Sequence, residues 1–173
     1  IRASLFDKNG NLNPEIVEFA ADLNIDIWPD VIRFYNERPK DHAALRYLMF
    51  AEAGGDEKRI DTRRHLFLDC AESHLKQYMQ DENLLVNFAH FLKDYPGEGE
   101  GLLEAGLTSI YEHAIGMAAL SVSTWPRDKV PVKLKKAVIQ AMQLNQNPFI
   151  DLVLKSIIDE RAPAPTEFEY GDM

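Results

Sequence analysis

Apolar residues recur at helical period along nearly the whole chain, and no stretch alternates convincingly with period two. Ile16, Phe19, Ala20 and Leu23 share one face of a first helix that Asn13 is placed to cap. Val31, Ile32, Phe34 and Tyr35 mark a short second helix after Pro29. Ala44, Leu45, Leu48 and Met49 mark a third from Pro39 to Ala53, with Gly54-Gly55 as its stop. A long helix is expected from Asp61 or Thr62 to Gln80. Leu84, Leu85, Phe88, Phe91 and Leu92 then form a clean one-sided stripe that closes at Tyr95-Pro96-Gly97. Residues 102–122 are apolar almost all the way round, the pattern of a central, enclosed helix. Two amphipathic helices complete the series: Pro131 to Leu144, with Leu134, Val138, Ala141 and Met142 inward, and Pro148 to Arg161, with Ile150, Val153, Leu154, Ile157 and Ile158 inward.

Five prolines, Pro14, Pro29, Pro39, Pro131 and Pro148, stand where these runs begin. Proline suits the first helical position, because its fixed φ fits the turn and its missing N–H has no intrahelical partner there. The expected fold is therefore all-α: a single-domain bundle of seven or eight short amphipathic helices around a central apolar helix at 102–122, spanning 1–161. An extended acidic tail, 162–173, follows, with its Ala-Pro-Ala-Pro lead and Glu167-Phe168-Glu169-Tyr170. A chain of 173 residues buries roughly 70% of its unfolded surface, enough for a core without staples.

Glu104, Glu112, His113 and two glycines within 102–122 argue against a membrane span, and the opening residues lack a charged n-region followed by an apolar h-region. Cys70 is the only cysteine, which excludes an internal disulfide and points to a reducing, cytoplasmic setting. Asp69 and Glu72 beside it would raise its thiol pKa, so a core-filling role is expected.

The formal net charge of −9 disfavours phosphate backbones and anionic membranes. Two basic clusters break this acidic background. Arg63 and Arg64, with Lys58, Arg59 and His65, crowd the expected helix start near Asp61, where cations oppose the helix dipole. Arg127, Lys129, Lys133, Lys135 and Lys136 hold five cations against Asp128, a net +4 over residues 127–136, with Trp125 alongside as an exposed aromatic. These eight residues, Trp125 included and Lys58, Arg59 and His65 left aside, form the candidate partner-binding set.

Four patterns bear on chemistry. Asp7 to Glu18 resembles the calcium loop of an EF-hand in its oxygens at positions 1, 3, 5, 9 and 12, but Leu12 replaces the turn glycine and Pro14 occupies position 8. An Asn/Gly turn leading into a helix cap is the better account. Ile16 to Asn36 resembles a helix-turn-helix, with Asn24 at the turn and Pro29 in the second helix. Five carboxylates stand where phosphate contacts need cations. Gly97-Glu98-Gly99-Glu100-Gly101 has neither the lysine nor the preceding strand of a phosphate loop and is expected to be a flexible connection. Glu112, among Ala105, Ser109, Gly116 and Ala119, could be a perturbed acid with His113 adjacent. None supplies a complete catalytic, metal or cofactor set. The expected function is non-catalytic binding of another protein, as an accessory subunit, adaptor or immunity-type inhibitor. A helix-turn-helix regulator and an enzyme or carrier with a pocket beside Glu112 are the alternatives.

Overall fold

A computed structural model describes residues 5–23, 25–50 and 57–159 of the chain. They form ten α-helices and one 3₁₀ turn, with no strand beyond an isolated bridge between Phe6 and Leu12. The chain is all-α. Two compact units divide it, 1–74 and 75–173. The acidic tail at 162–173, Asn24 and the Gly54-Gly55 stop lie outside the described residues.

The first unit holds α1 (Pro14–Asp22), α2 (Trp28–Glu37), α3 (His42–Phe50) and α4 (Glu57–Ser73). Asn13 caps α1, its side chain accepting from Glu15 N at 3.2 Å, as expected. Pro29 sits in the first turn of α2. Pro39 does not open α3. Asp41 does, its carboxylate accepting from Ala44 N at 2.9 Å, while Pro39 is buried in the preceding turn. A side-chain cap supplies an acceptor that proline lacks, so the helix begins at the cap. The core joins Val31, Phe34 and Tyr35 of α2 to Ala44, Leu45 and Leu48 of α3 and to Phe67, Leu68 and Ala71 of α4. The rings of Tyr35 and Phe67 lie 5.5 Å apart.

α4 starts four residues before the expected Asp61 and ends at Ser73. Asp61 and Thr62 are interior: Asp61 pairs with Arg64 one turn on, and the Thr62 hydroxyl donates to Lys58 O at 2.8 Å. Both are thus committed along the helix instead of capping it. Arg63 and Arg64 consequently lie past the first turn, where the helix dipole no longer opposes them.

The second unit holds α5 (Leu75–Tyr78), α6 (Glu82–Leu92), α7 (Glu100–Leu107), α8 (Glu112–Ser123), the 3₁₀ turn Arg127–Lys129, α9 (Val132–Leu144) and α10 (Pro148–Ile158). Asp81 caps α6, accepting from Leu84 N at 3.2 Å, and the expected stripe is buried. Asn147 caps α10 ahead of Pro148. Pro131 takes the N-cap of α9.

The expected single helix at 102–122 is instead two. At the end of α7 the Thr108 hydroxyl donates to Glu104 O at 2.8 Å. Ser109 Oγ then lies 3.3 Å from both Tyr111 N and Tyr111 O. Hydroxyls that bond local backbone compete with helix propagation, and here two in succession end it. The chain folds back, and α7 packs on α8 so closely that a Cβ on Gly106 would stand 2.9 Å from the Ala118 Cβ. The all-round apolar pattern serves this hairpin: α8 is the central helix, packed against α6, α7 and α10 through Ala114, Ala118, Ala119 and Val122. Ser121 is the buried polar residue of this core, its hydroxyl 2.7 Å from Ala89 O of α6.

Candidate functional site

The eight candidate residues separate by location and by commitment. Arg63 and Arg64 belong to the first unit and are internally satisfied. Arg63, with 11% of its side chain exposed, donates from Nη2 to both Asp26 oxygens at 2.9 and 2.7 Å and lies over the Trp28 ring at 5.1 Å. Arg59 pairs with the same carboxylate. Asp26 also accepts from Trp28 N at 3.2 Å, so one side chain holds the turn that leads into α2 and ties it to α4. Arg64 pairs with Asp61 at 2.8 Å.

The hydrogen bonds from Arg63 hold Asp26 below its ordinary pKa. A depressed carboxylate contributes stability that is complete above the unfolded-chain value, about 4, and is lost as pH falls through the lower folded value. Asp26→Asn should therefore unfold at lower urea than the wild type near neutral pH, and the gap should close as pH falls through the lowered folded value. Parallel midpoint curves across that range would show that the carboxylate charge contributes nothing.

Trp125 is not an exposed aromatic. It is 4% exposed, and its indole Nε1 donates to Leu92 O at 3.1 Å and Lys93 O at 3.2 Å. Two carbonyls at the end of α6 lack intrahelical donors, and the indole satisfies them while its rings fill the core. Of the basic cluster beside it, Lys133 pairs with Glu104 at 2.5 Å, and Arg127 donates to Asp159 O at 3.2 Å. Lys129, Lys135 and Lys136 are exposed and make no ion pair with any described residue.

α9 explains why. Leu134, Ala137, Val138 and Ala141 are its buried face. Val132, Lys136 and Ile139 fall at i, i+4 and i+7 on the opposite side with Lys135 beside them. Val132 is 70% exposed and Ile139 47%. The outer face of α9 is therefore apolar at two positions and cationic at two, and Lys129 precedes it. Val132 and Ile139 lie outside the candidate partner-binding set. Their signal was present, since both fall off the stripe set by Leu134, Val138 and Ala141.

The remaining candidates are placed as follows. Asp7 Oδ1 accepts from Asn9 N and Asn11 N, each at 2.8 Å, and Arg38 Nη1 donates to Asn11 Oδ1 at 2.6 Å. The oxygens of the calcium-like loop thus face N–H groups, as in an Asn/Gly turn. Glu112 and His113 are both exposed in the first turn of α8, with Glu112 accepting from Asn147 Nδ2 at 2.5 Å. Cys70 is half-buried, and burial, not the neighbouring carboxylates, raises its thiol pKa. Residues 97–101 are a specified turn and not a flexible one. Gly97 and Gly99 have φ of +91° and +61°, and a Cβ at Gly99 would meet a Leu92 methyl at 2.5 Å. In the helix-turn-helix stretch, α2 packs chiefly on α3.

Among the described residues no three His, Cys, Asp or Glu side chains converge as a metal site, and no helix is long and apolar enough to cross a membrane. Comparison with known proteins gives no matching family model, no matching curated protein and no matching solved structure.

Proposed function

We propose that the chain is a non-catalytic binding protein whose second unit presents the outer face of α9 to an acidic surface of another protein, in a cytoplasmic setting. The observation that carries it is the set of uncommitted cations, Lys129, Lys135 and Lys136, beside exposed Val132 and Ile139, in a chain of net charge −9. Exposed ion pairs contribute only about 0.2–1 kcal/mol each, so the lysines would steer and orient the partner. Covering Val132 and Ile139 would supply affinity, up to about 1.5–3 kcal/mol for each side chain if fully buried.

The double substitution Lys135→Glu, Lys136→Glu tests this. Glutamate and lysine have similar helix propensity, and neither position is paired with a described residue. Stability should therefore change by no more than about 0.5 kcal/mol. A partner recovered from lysate with the wild-type chain and then purified should bind the variant at least tenfold more weakly, with the gap narrowing as salt screens the charges. Equal dissociation constants would reject α9 as the docking face.

A further inference from the structure

α10 ends at Ile158, and the carbonyl of the next residue, Asp159, accepts from Arg127 Nη2 at 3.2 Å. Arg127 opens the 3₁₀ turn that leads into α9, so the chain beyond Asp159 sets out from the edge of the α9 face. We infer that the acidic segment 162–173 of the same chain is an occupant of that face, its carboxylates meeting Lys135 and Lys136, and that it competes there with the partner. The competition rests on α9 being the docking face proposed above. The contact itself does not.

Charge selects the occupant. Residues 162–173 contain Glu167, Glu169 and Asp172 and no lysine or arginine, whereas α9 contains three lysines and no acidic residue. The carboxylates around α9 leave two of those lysines unmatched. α7 and α10 are the helices packed most heavily on α9, and there Glu104 pairs with Lys133 and Asp151 with Lys155. Glu100 stands in the first turn of α7 and Asp128 is exposed beside Lys129, and neither pairs with Lys135 or Lys136. The exposed Val132 and Ile139 next to these lysines can take the aromatic rings of Phe168 and Tyr170.

The tether selects this chain over a second copy. Eight residues lead from Asp159 to Glu167, a reach of up to about 28 Å. The route from Arg127 to Lys136, four residues to Pro131 and five along the helix, covers at most about 22 Å. Glu167 and Glu169 therefore come within range of both lysines. A segment tethered in this way meets its site at an effective concentration on the order of a millimolar, so a contact of millimolar strength is made about half the time. The same segment on another molecule at micromolar concentration would leave the face empty. Half occupancy raises the apparent dissociation constant of the partner about twofold.

The test compares the full wild-type chain with a full-length tail variant, Glu167→Gln, Phe168→Ala, Glu169→Gln, Tyr170→Ala, in low-salt buffer. Brief acetylation read lysine by lysine should be about twofold faster at Lys135 and Lys136 in the tail variant, with Lys8, Lys40 and Lys76 unchanged. Carbodiimide treatment of the wild type should join Glu167 or Glu169 to Lys135 or Lys136 within monomers, at a yield that does not change on tenfold dilution. The purified partner should bind the tail variant about twofold more tightly than the wild type. Equal lysine rates with no such cross-link, or cross-links that fade on dilution and are confined to dimers, would overturn the contact. A partner that binds Lys135→Glu, Lys136→Glu weakly, yet binds wild type and tail variant alike, would overturn the competition. Failure of α9 as the docking face shows separately, as equal partner affinity of Lys135→Glu, Lys136→Glu and the wild type, and the lysine rates and cross-links then decide the contact without it.

Discussion

Trp125→Ala should lower the unfolding free energy of the second unit by about 3–5 kcal/mol, the range for removing a large buried aromatic. Two losses combine. The side chain leaves a cavity where the segment after α8 meets the end of α6, and the Lys93 carbonyl loses its indole donor. The Leu92 carbonyl also receives Tyr95 N–H at 3.0 Å, so it keeps a partner. Trp125→Phe separates the two effects. It retains much of the apolar volume and gives up the N–H, and it should cost about 1 kcal/mol, the low end of the range for an acceptor left unpaired, because the Lys93 carbonyl is only part-buried. Urea unfolding followed by far-ultraviolet circular dichroism measures both. A cost below 1 kcal/mol for the alanine variant would mean that the indole lies outside the core, as the sequence alone had implied.

Gly106→Val should be the second large effect, at about 2–3 kcal/mol. Even a single Cβ at this position would stand 2.9 Å from the Ala118 Cβ, and Ala118 has no rotamer through which to withdraw. The two helices would have to separate, and α8 cannot yield easily because α6 and α10 pack on it as well. Gly106→Ala has a partial offset, since alanine gains about 1 kcal/mol of helix propensity over glycine. The decisive arm is a double substitution: Ala118→Gly placed on Gly106→Val should recover part of the loss, giving a coupling of about 0.5 kcal/mol or more. Strict additivity would show that the close approach of α7 and α8 is not what the glycine serves.

These two positions also show how far the amino-acid pattern reached. The all-α class followed from periodicity, and the cap at Asn13, the start of α10 at Pro148 and the buried stripe of α6 followed from residue type and spacing. What the pattern left out was decided by hydrogen bonds between side chain and backbone. The turn between α7 and α8 depends on the Thr108 and Ser109 hydroxyls, and nothing in an apolar run of 21 residues says that two hydroxyls will break it. Asp41 displaced Pro39 as the start of α3 for the same kind of reason. Tertiary pairing decided the rest. Trp125 beside five cations has the composition of a contact surface, yet its donor is used 32 and 33 residues back along the chain. Arg63 has the composition of a free cation, yet its partner, Asp26, is 37 residues away. Local sequence carries no record of either pairing. For the surface of α9 the situation is reversed. Lys135 and Lys136 are exposed because the residues on either side of them, Leu134 and Ala137, are buried, and that alternation is written in the helical period itself.

Differential lysine labelling tests the docking face directly. Brief acetylation of the full chain, alone and saturated with its purified acidic partner, would be read lysine by lysine by mass spectrometry. Lys129, Lys135 and Lys136 should be protected at least fivefold in the complex, while the exposed Lys8, Lys40 and Lys76 of other helices and turns react as before. Unchanged labelling of Lys135 and Lys136 in a saturated complex would place the partner elsewhere and contradict the assignment of α9.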